Sequence, residues 1–196
     1  MALYLGMAAF VLFWIYDVNS FLWQHRIPRT FFTAGTMLIA VSLVLDLWSA
    51  WQAQAFDGWA DMLLLAVSAL AFAALIYTLF FALPFDETYA KQNNGRYVCD
   101  RGVYALCRHP GILCFFALYL FVGLAALPAP GLLLHGMILS LLNLLYAWFQ
   151  DRVTFPRTFA DYRSYQQNVP FLLPTKASLK RFAKTLGHSG DEEGEL

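Results

Sequence analysis

The stretch of this chain that is richest in chemically useful side chains runs from Arg96 to Pro110. It contains Arg, Tyr, Cys, Asp and His residues and ends in the triplet Arg108-His109-Pro110. Proline is favoured at the first position of a helix, because its missing N–H would be unpaired there. The free N–H groups of a helix start attract anions, and an arginine fork suits a carboxylate. The triplet therefore predicts an anion-binding corner at the start of a helix, although a basic membrane anchor remains an alternative interpretation.

A second group of residues follows about forty positions later, near the end of the last apolar stretch. Asp151-Arg152 is followed by Tyr162-Arg163-Ser164-Tyr165 and by the proline-bounded apolar stretch Val169–Pro174. Phe155, Phe159 and Tyr162 have helical spacing, with charged residues between them. This pattern predicts a short amphipathic helix that lies against the membrane surface or the helix bundle.

Taken together and in this order, the two groups resemble the isoprenylcysteine carboxyl methyltransferase family, whose wider group includes the integral-membrane phospholipid methyltransferases. The resemblance rests on Gly102-Val103-Tyr104, on Arg108-His109-Pro110 after three further residues, and on the downstream group. It covers roughly Tyr89 to Pro174. It implies a methyltransferase that uses S-adenosylmethionine as its cofactor and acts on a lipophilic or membrane-delivered small acceptor.

The resemblance also implies where the cofactor binds, namely at the cytosolic face beside the third loop, the fourth helix and the segment after the fifth. The cofactor-binding residues that it implies are Arg96, Tyr97, Val98, Cys99, Tyr104, Arg108, His109, Pro110, Gly111, Ile112 and Asp151. The cofactor's carboxylate suits Arg108, its ammonium suits Asp151, and tyrosine rings suit its purine and sulfonium. No protein nucleophile is required; Asp151 or a bound water is the candidate base, and Arg152 is assigned to the substrate.

This chain departs from the family's pattern at several positions. Ile112 and Cys114 stand where an aromatic residue and a glycine are usual, and Asp151-Arg152 replaces a pair of glutamates. The turn before that pair, Tyr146–Phe149, lacks the arginine that would receive a prenylcysteine carboxylate. This weakens the case for that acceptor and leaves open a phospholipid amine or a thiol. Two other classes stay open: an NADPH-dependent membrane reductase of related fold, and a non-catalytic membrane assembly subunit.

Five apolar stretches must position these residues. They are Ala2–Leu22, Phe31–Ala50, Met62–Leu83, Pro110–Leu127 and Leu132–Phe149. The chain is 60% apolar and only 13% charged, which indicates solvation by lipid, and about 20 helical residues cross a bilayer. The link Pro128–Gly131 is so short that the last two helices must form an antiparallel hairpin. We predict an all-α integral membrane protein with five transmembrane helices, a helix 4–helix 5 hairpin and a cytoplasmic C-terminal amphipathic helix.

The orientation follows from the basic residues, because cytoplasmic loops collect positive charge. All 13 Lys and Arg residues lie in the loop after the first apolar stretch, in the loop after the third, and in the segment after the fifth. We therefore expect a multi-pass protein of a bacterial inner membrane or the endoplasmic reticulum, N-out and C-in, whose active site faces the cytoplasm. Met1–Trp23 has no basic n-region and no cleavage site, so we expect it to stay in the mature protein.

Composition divides the chain into three regions. Residues 1–83 form a three-helix transmembrane region, and residues 84–174 hold the cofactor-binding loop, the hairpin and the amphipathic segment. Residues 175–196 form a cytoplasmic tail, in which Lys176–Lys184 predicts a weak basic helix and the acidic end is expected to be partly disordered. The basic helix is either a lipid-binding patch or a solvated tail. The expected partners are membrane lipid and the methyl acceptor, with no nucleic acid.

The remaining ionisable groups have plainer interpretations. Cys99, Cys107 and Cys114 should be free thiols, and with His109 their spacing fits no zinc motif, so no metal is expected. A carboxylate at the bilayer centre costs about 2.5–3.5 kcal/mol. We expect interfacial hydration for Asp17 and Asp46, with a cationic partner as the alternative for Asp17. We expect His135 to make a hydrogen bond between helices.

Overall fold

The computed structural model describes residues 1–23, 25–26, 30–82 and 97–188. Over these ranges the chain is helical and contains no β-strand. The helices are α1 (Ala2–Phe21), α2 (Phe31–Gln52), α3 (Trp59–Ile76), α4 (Val103–Leu106), α5 (Pro110–Ala125), α6 (Gly131–Phe149), α7 (Phe155–Thr158), α8 (Tyr162–Asn168) and α9 (Lys176–His188). Two π-helical segments extend the long helices: Tyr77–Phe81 follows α3, and Gln150–Thr154 follows α6.

Four helical stretches are long and apolar enough to cross a membrane. They are Ala2–Phe21, Phe31–Gln52, Trp59–Phe81 and Gly131–Thr158. The other predicted span, α5, has 16 residues, or about 24 Å at 1.5 Å per residue, which is less than a hydrocarbon core of about 30 Å. Trp48, Trp51 and Trp59 expose 62%, 67% and 79% of their surface, as lipid-facing side chains do. The predicted all-α fold is confirmed over the described residues, and the four candidate spans support a membrane protein.

The chain forms two compact units. The bundle unit contains residues 1–72 and 115–154, and the loop–tail unit contains residues 73–114 and 155–196. These boundaries differ from the three regions expected from composition. The difference arises because compact units follow contacts between segments that are distant in sequence.

Small residues let the helices of the bundle unit approach closely. A Cβ atom on Gly35 of α2 would lie 2.5 Å from the Phe13 ring of α1. A Cβ atom on Gly6 of α1 would lie 2.6 Å from Leu139 of α6. Ser42 donates to the Ala2 carbonyl at 2.9 Å. The Gly35–Phe13 and Ser42–Ala2 pairs have opposite order along the two helices, so α1 and α2 are antiparallel.

The α5–α6 hairpin is packed in the same way. A Cβ atom on Gly123 would lie 2.8 Å from Leu133, and one on Gly136 would lie 2.7 Å from Tyr119. The two pairs have opposite order along the two helices, so α5 and α6 are antiparallel, as their short link requires. On α6, Leu139 faces Gly6 and Tyr146 stacks on Phe13 at 5.6 Å. The order of these two pairs makes α6 parallel to α1.

The buried acids of the bundle unit are not hydrated at an interface, so that expectation is wrong. Asp46 is 5% exposed, and its Oδ1 lies 2.9 Å from His135 Nδ1. His135 therefore makes the predicted hydrogen bond between helices. Asp17 is 3% exposed and is surrounded by the polar side chains of Tyr146, Gln150 and Thr154. Burial among hydrogen-bonding groups replaces hydration because the bundle packs tightly around both carboxyl groups.

The amphipathic helix predicted after Asp151 forms two short helices, α7 and α8, instead of one. The rings of Phe155 and Tyr162 lie 5.4 Å apart, whereas seven residues of a straight helix advance by about 10.5 Å. The chain therefore turns between α7 and α8, which lets both aromatic faces enter one cluster. The core of this cluster is Tyr162, Tyr165 and Val169, with Val98, Phe155 and Phe159 packed against it.

Helix α9 contains the predicted basic segment Lys176–Lys184 and extends to His188. Thr175 and Ser178 form a reciprocal cap at its start: Thr175 N donates to Ser178 Oγ at 2.8 Å, and Ser178 N donates to Thr175 Oγ1 at 3.2 Å. Such a cap satisfies two donors of a helix start. The tail that was expected to be disordered falls largely on residues 189–196, outside the described residues.

Candidate functional site

The predicted start of α5 is confirmed, and the backbone just before it is hydrogen-bonded to residues 170 and 171. Helix α5 begins at Pro110. The N–H of Arg108 donates to the Pro170 carbonyl at 2.9 Å, and the N–H of His109 donates to the Phe171 carbonyl at 3.3 Å. These two bonds align the segment before α5 with residues that follow α8. Residues of both sequence groups therefore meet within the loop–tail unit.

The Arg108 side chain strengthens this pairing. Its Nη1 donates to the carbonyls of Gln166 at 2.8 Å and Val169 at 2.7 Å. Its guanidinium carbon lies 5.6 Å from the centre of the Phe171 ring, in cation–π range. The cation thus satisfies carbonyls at the end of α8, which a helix end otherwise leaves unpaired. The structure gives Arg108 this bracing role, which differs from the expected role of receiving the cofactor's carboxylate.

The ring of His109 lies within aromatic side chains and is only 8% exposed. It stacks on Phe155 with ring centres 5.9 Å apart and planes inclined by 14°. Its centre lies 4.9 Å from that of Phe171. The imidazole therefore packs between α7 and the segment around Phe171, which together form an aromatic wall. The resemblance implied a cofactor contact instead.

Two tyrosines connect the signature to the end of α3. The Tyr165 hydroxyl donates to the Tyr104 carbonyl, and the Tyr104 hydroxyl donates to the Thr78 carbonyl, both at 2.7 Å. Burial raises the pKa of Tyr165 well above its ordinary value, so its hydroxyl remains a donor at neutral pH. Next along α5, a Cβ atom on Gly111 would lie 3.5 Å from Thr78 Oγ1, and Ile112 is buried. Tyr104 thus ties α4 to the π-helical end of α3, and Gly111 lets the start of α5 approach the same turn.

The strip that precedes Gly102, which the structure describes from residue 97 to residue 99, is more exposed than the rest of the signature. Tyr97 is 50% exposed, Cys99 is partly exposed, and the N–H of Val98 donates to Asp161 Oδ1 at 3.0 Å. Arg96, the first residue of the predicted strip, lies outside the described residues. Gly102 has φ +56°, a conformation that favours glycine.

A polar cleft of about 90 Å³ opens beside this strip. Its lining consists of Val98, Asp100, Asp161, Ser164, Tyr165, Asn168, Val169 and Arg181. Pockets for drug-sized ligands have volumes of about 300–1,000 Å³. The cleft as described therefore has room for a small polar group or a part of a nucleoside cofactor. Its carboxylates suit an ammonium, and its arginine suits an anion.

Asp151 and Arg152 belong to the bundle unit, whereas the other described candidates belong to the loop–tail unit. Asp151 is 2% exposed and lies in the π-helical segment after α6, beside the group around Asp17. Arg152, assigned to the substrate, is exposed. A π-helical turn inside a long helix is frequent at functional sites. Its presence here places two buried carboxyl groups, Asp17 and Asp151, at the same end of the bundle unit.

The cysteines are free thiols, as predicted. Cys107 is buried, and burial raises the pKa of its thiol to about 11, which keeps it protonated and unreactive at neutral pH. Among the residues that the structure describes, no group of His, Cys, Asp or Glu side chains could hold a metal ion.

Comparisons with protein-family models, with curated proteins and with solved structures find no match to this chain.

Several contacts of the site were missed in the sequence. Asp161 holds the strip through Val98, and Thr185 accepts a 3.2 Å hydrogen bond from the N–H of Gly102. The position of Asp161 directly before a helix is a typical capping signal, but its partner is 63 residues away and leaves no local pattern. The carbonyl groups that Arg108 contacts have no sequence signal at all.

Proposed function

We propose that this chain is an integral-membrane methyltransferase that uses S-adenosylmethionine. Its acceptor is a lipophilic or membrane-delivered small molecule: a prenylcysteine carboxylate, a phospholipid amine or a thiol. The observation that carries the proposal is the pairing of Arg108 and His109 with residues 166–171. The two sequence groups that resemble one methyltransferase family are distant in the chain, yet residues 108–109 of the first are hydrogen-bonded to residues 166–171, at the end of the second.

The helix directions support the topology that this function needs. In the bundle unit α1 is parallel to α6, α2 is antiparallel to α1, and α5 is antiparallel to α6. Alternating directions of this kind are what five crossings produce, with α3 as the third and the short α5 as the fourth. Together with the basic residues of the loops, this supports an N-out, C-in arrangement with the site at the cytoplasmic side.

The described residues fit a part of the cofactor. The half-exposed ring of Tyr97 suits the purine, and Asp100 and Asp161 in the cleft suit the ammonium. Asp151 at the foot of α6 remains the proposed second acid. When bound, the cofactor supplies a methyl group on a sulfonium, which is reactive without a protein nucleophile.

The chain's own contribution is therefore binding, orientation and the exclusion of water. Arg108 and His109 contribute indirectly, because they fix the wall beside the cleft. An amine or thiol acceptor would also have to lose a proton, and Asp151 is the proposed base.

The proposal is tested by incubating the purified protein with methyl-labelled S-adenosylmethionine and a total lipid extract. We expect label in an organic-extractable product, and strong inhibition by S-adenosylhomocysteine. Tyr97→Ala should reduce the rate about tenfold, because stacking and cation–π contacts contribute about 1–2 kcal/mol. Tyr4→Ala removes another exposed tyrosine, 74% exposed and in the bundle unit, and should leave the rate unchanged. If no component of the extract becomes labelled, that result would count against this function.

A further inference from the structure

Helix α9 presents a row of lysines whose direction is fixed by its contacts with the rest of the loop–tail unit. Lys176, Lys180 and Lys184 are exposed and recur every four residues. At about 100° per residue they lie within about 80° of one another around the helix axis. Ser178, which is 1% exposed, and Thr185, which accepts from Gly102, lie on about the opposite side. The buried side is thus held against the protein, and the lysine row faces away from it.

Two further contacts prevent α9 from rotating. The Arg181 Nη1 donates to the Asn168 carbonyl at 2.8 Å, and the reciprocal Thr175–Ser178 cap fixes the first turn. Next to the lysine row lies Leu179, which is 52% exposed, and after it Ala183, which is also exposed. An apolar edge beside a basic row is the pattern of helices that lie in a membrane interface.

Hydrogen bonds within the loop–tail unit place α9 close to a membrane boundary. Thr185 of α9 is bonded to Gly102, directly before α4. Tyr104 of α4 is bonded through its hydroxyl to Thr78. Thr78 lies in the last turn of the candidate span Trp59–Phe81. Helix α4 has only four residues, or about 6 Å, so only a short element separates α9 from the end of a membrane-spanning helix.

We propose that the exposed face of α9 is a binding site for anionic phospholipid headgroups. The lysine row, defined as Lys176, Lys180 and Lys184, contacts the phosphates, and Leu179 contacts the adjoining acyl region. Lysine is a compact charge that pairs with phosphate without a fixed geometry, and this suits mobile lipid headgroups. The charge of the row and its distance from the span end favour this occupant over a soluble anion. The inference does not depend on methyl transfer.

The test uses the full chain in a neutral detergent, titrated calorimetrically with dihexanoylphosphatidylglycerol and with dihexanoylphosphatidylcholine. We expect the phosphatidylglycerol to bind at least tenfold more tightly than the phosphatidylcholine. Lys176→Gln, Lys180→Gln and Lys184→Gln together should weaken its binding about 100-fold, since each lysine near an anionic surface contributes about fivefold. A matched variant with Arg26→Gln, Arg101→Gln and Arg163→Gln removes the same charge from other exposed positions. It should bind within about twofold of the parent protein.

Four results would overturn the proposal. Equal binding of both lipids would show that headgroup charge is not recognised. An equal loss in the matched variant would show diffuse attraction by net charge. If inorganic phosphate binds as tightly as the phosphatidylglycerol, the face binds a free anion. If the parent protein forms a dimer that only the lysine variant loses, the face binds a second copy of the chain. Unfolding temperatures of all variants should match, because the substituted side chains are exposed.

Discussion

Arg108 Nη1 donates a 2.7 Å hydrogen bond to the main-chain carbonyl of Val169, across 61 positions of the sequence. The same nitrogen donates to the Gln166 carbonyl. A cation that resembles a ligand-binding residue in the sequence therefore closes the end of α8 in the structure. This brace fixes the segment before α5 to residues 166–169 within the loop–tail unit.

Arg108→Lys should destabilise the protein although the charge is kept. A lysine cannot hold both carbonyls in a fixed planar geometry. Losing one charged hydrogen bond should lower the free energy of unfolding by about 1.5–3 kcal/mol, or the unfolding temperature by about 5 °C. Differential scanning fluorimetry in detergent measures this. Arg163→Lys, an exposed residue of the same unit, should have no effect, and equal stability of both variants would contradict the bracing role.

Gly102→Ala and Gly131→Ala make the same chemical change and should differ in effect. Neither added Cβ atom would meet a heavy atom within 4 Å, so crowding is not a factor. Gly102 has φ +56°, where a side chain is strained, and the substitution should cost about 1–3 kcal/mol. Gly131 begins α6 with ordinary backbone geometry, and alanine there should be neutral or slightly stabilising. Unfolding temperatures that fall equally for both would disprove this account.

Asp46 and His135 should be strongly coupled. His135→Leu leaves the buried Asp46 carboxyl group without its partner and should cost about 3–5 kcal/mol. Asp46→Leu leaves an imidazole whose side chain is 26% exposed, so this substitution should cost less. The double substitution removes both and should cost less than the sum. A double-mutant cycle of unfolding free energies in detergent gives the coupling. Purely additive costs would mean that the 2.9 Å contact contributes nothing.

The Cys107 thiol should stay protonated and unreactive at pH 8 while the protein is folded. Burial raises its pKa from 9.0 to about 11 in the folded protein, so the folded state holds the proton more tightly than the unfolded state. Its contribution to stability is complete below pH 9 and is lost as the pH rises towards 11. Iodoacetamide at pH 8 should modify the partly exposed Cys99 and leave Cys107 intact until the protein unfolds. Peptide mass spectrometry resolves the two, and equal modification rates in the folded state would contradict the prediction.

The long helices could be predicted closely from the sequence, because apolar runs of membrane length have few alternatives. Ala2–Phe21 and Gly131–Phe149 differ from the expected stretches by one residue. The hydrogen bond of His135 was also predictable, since a polar side chain in an apolar helix needs a partner. Its identity, Asp46, was not, because the choice depends on which helices face each other.

The candidate site was less predictable for a related reason. Pro110 signals a helix start by a purely local rule, and that part is confirmed. Arg108 and His109 were assigned by their chemical capacity, which was insufficient because main-chain carbonyls and aromatic rings can satisfy the same capacity. The turn between α7 and α8 was missed, since an amphipathic period is the same for one helix or for two short helices that share a cluster.

The central claim concerns the cofactor, and calorimetry with S-adenosylhomocysteine on the detergent-purified chain tests it most directly. We predict saturable binding of S-adenosylhomocysteine, no binding of NADPH, and weaker binding in Tyr97→Ala than in the matched Tyr4→Ala. Binding of NADPH alone would instead indicate a reductase. Binding of neither ligand by a protein that unfolds cooperatively would contradict the account and leave a non-catalytic membrane subunit.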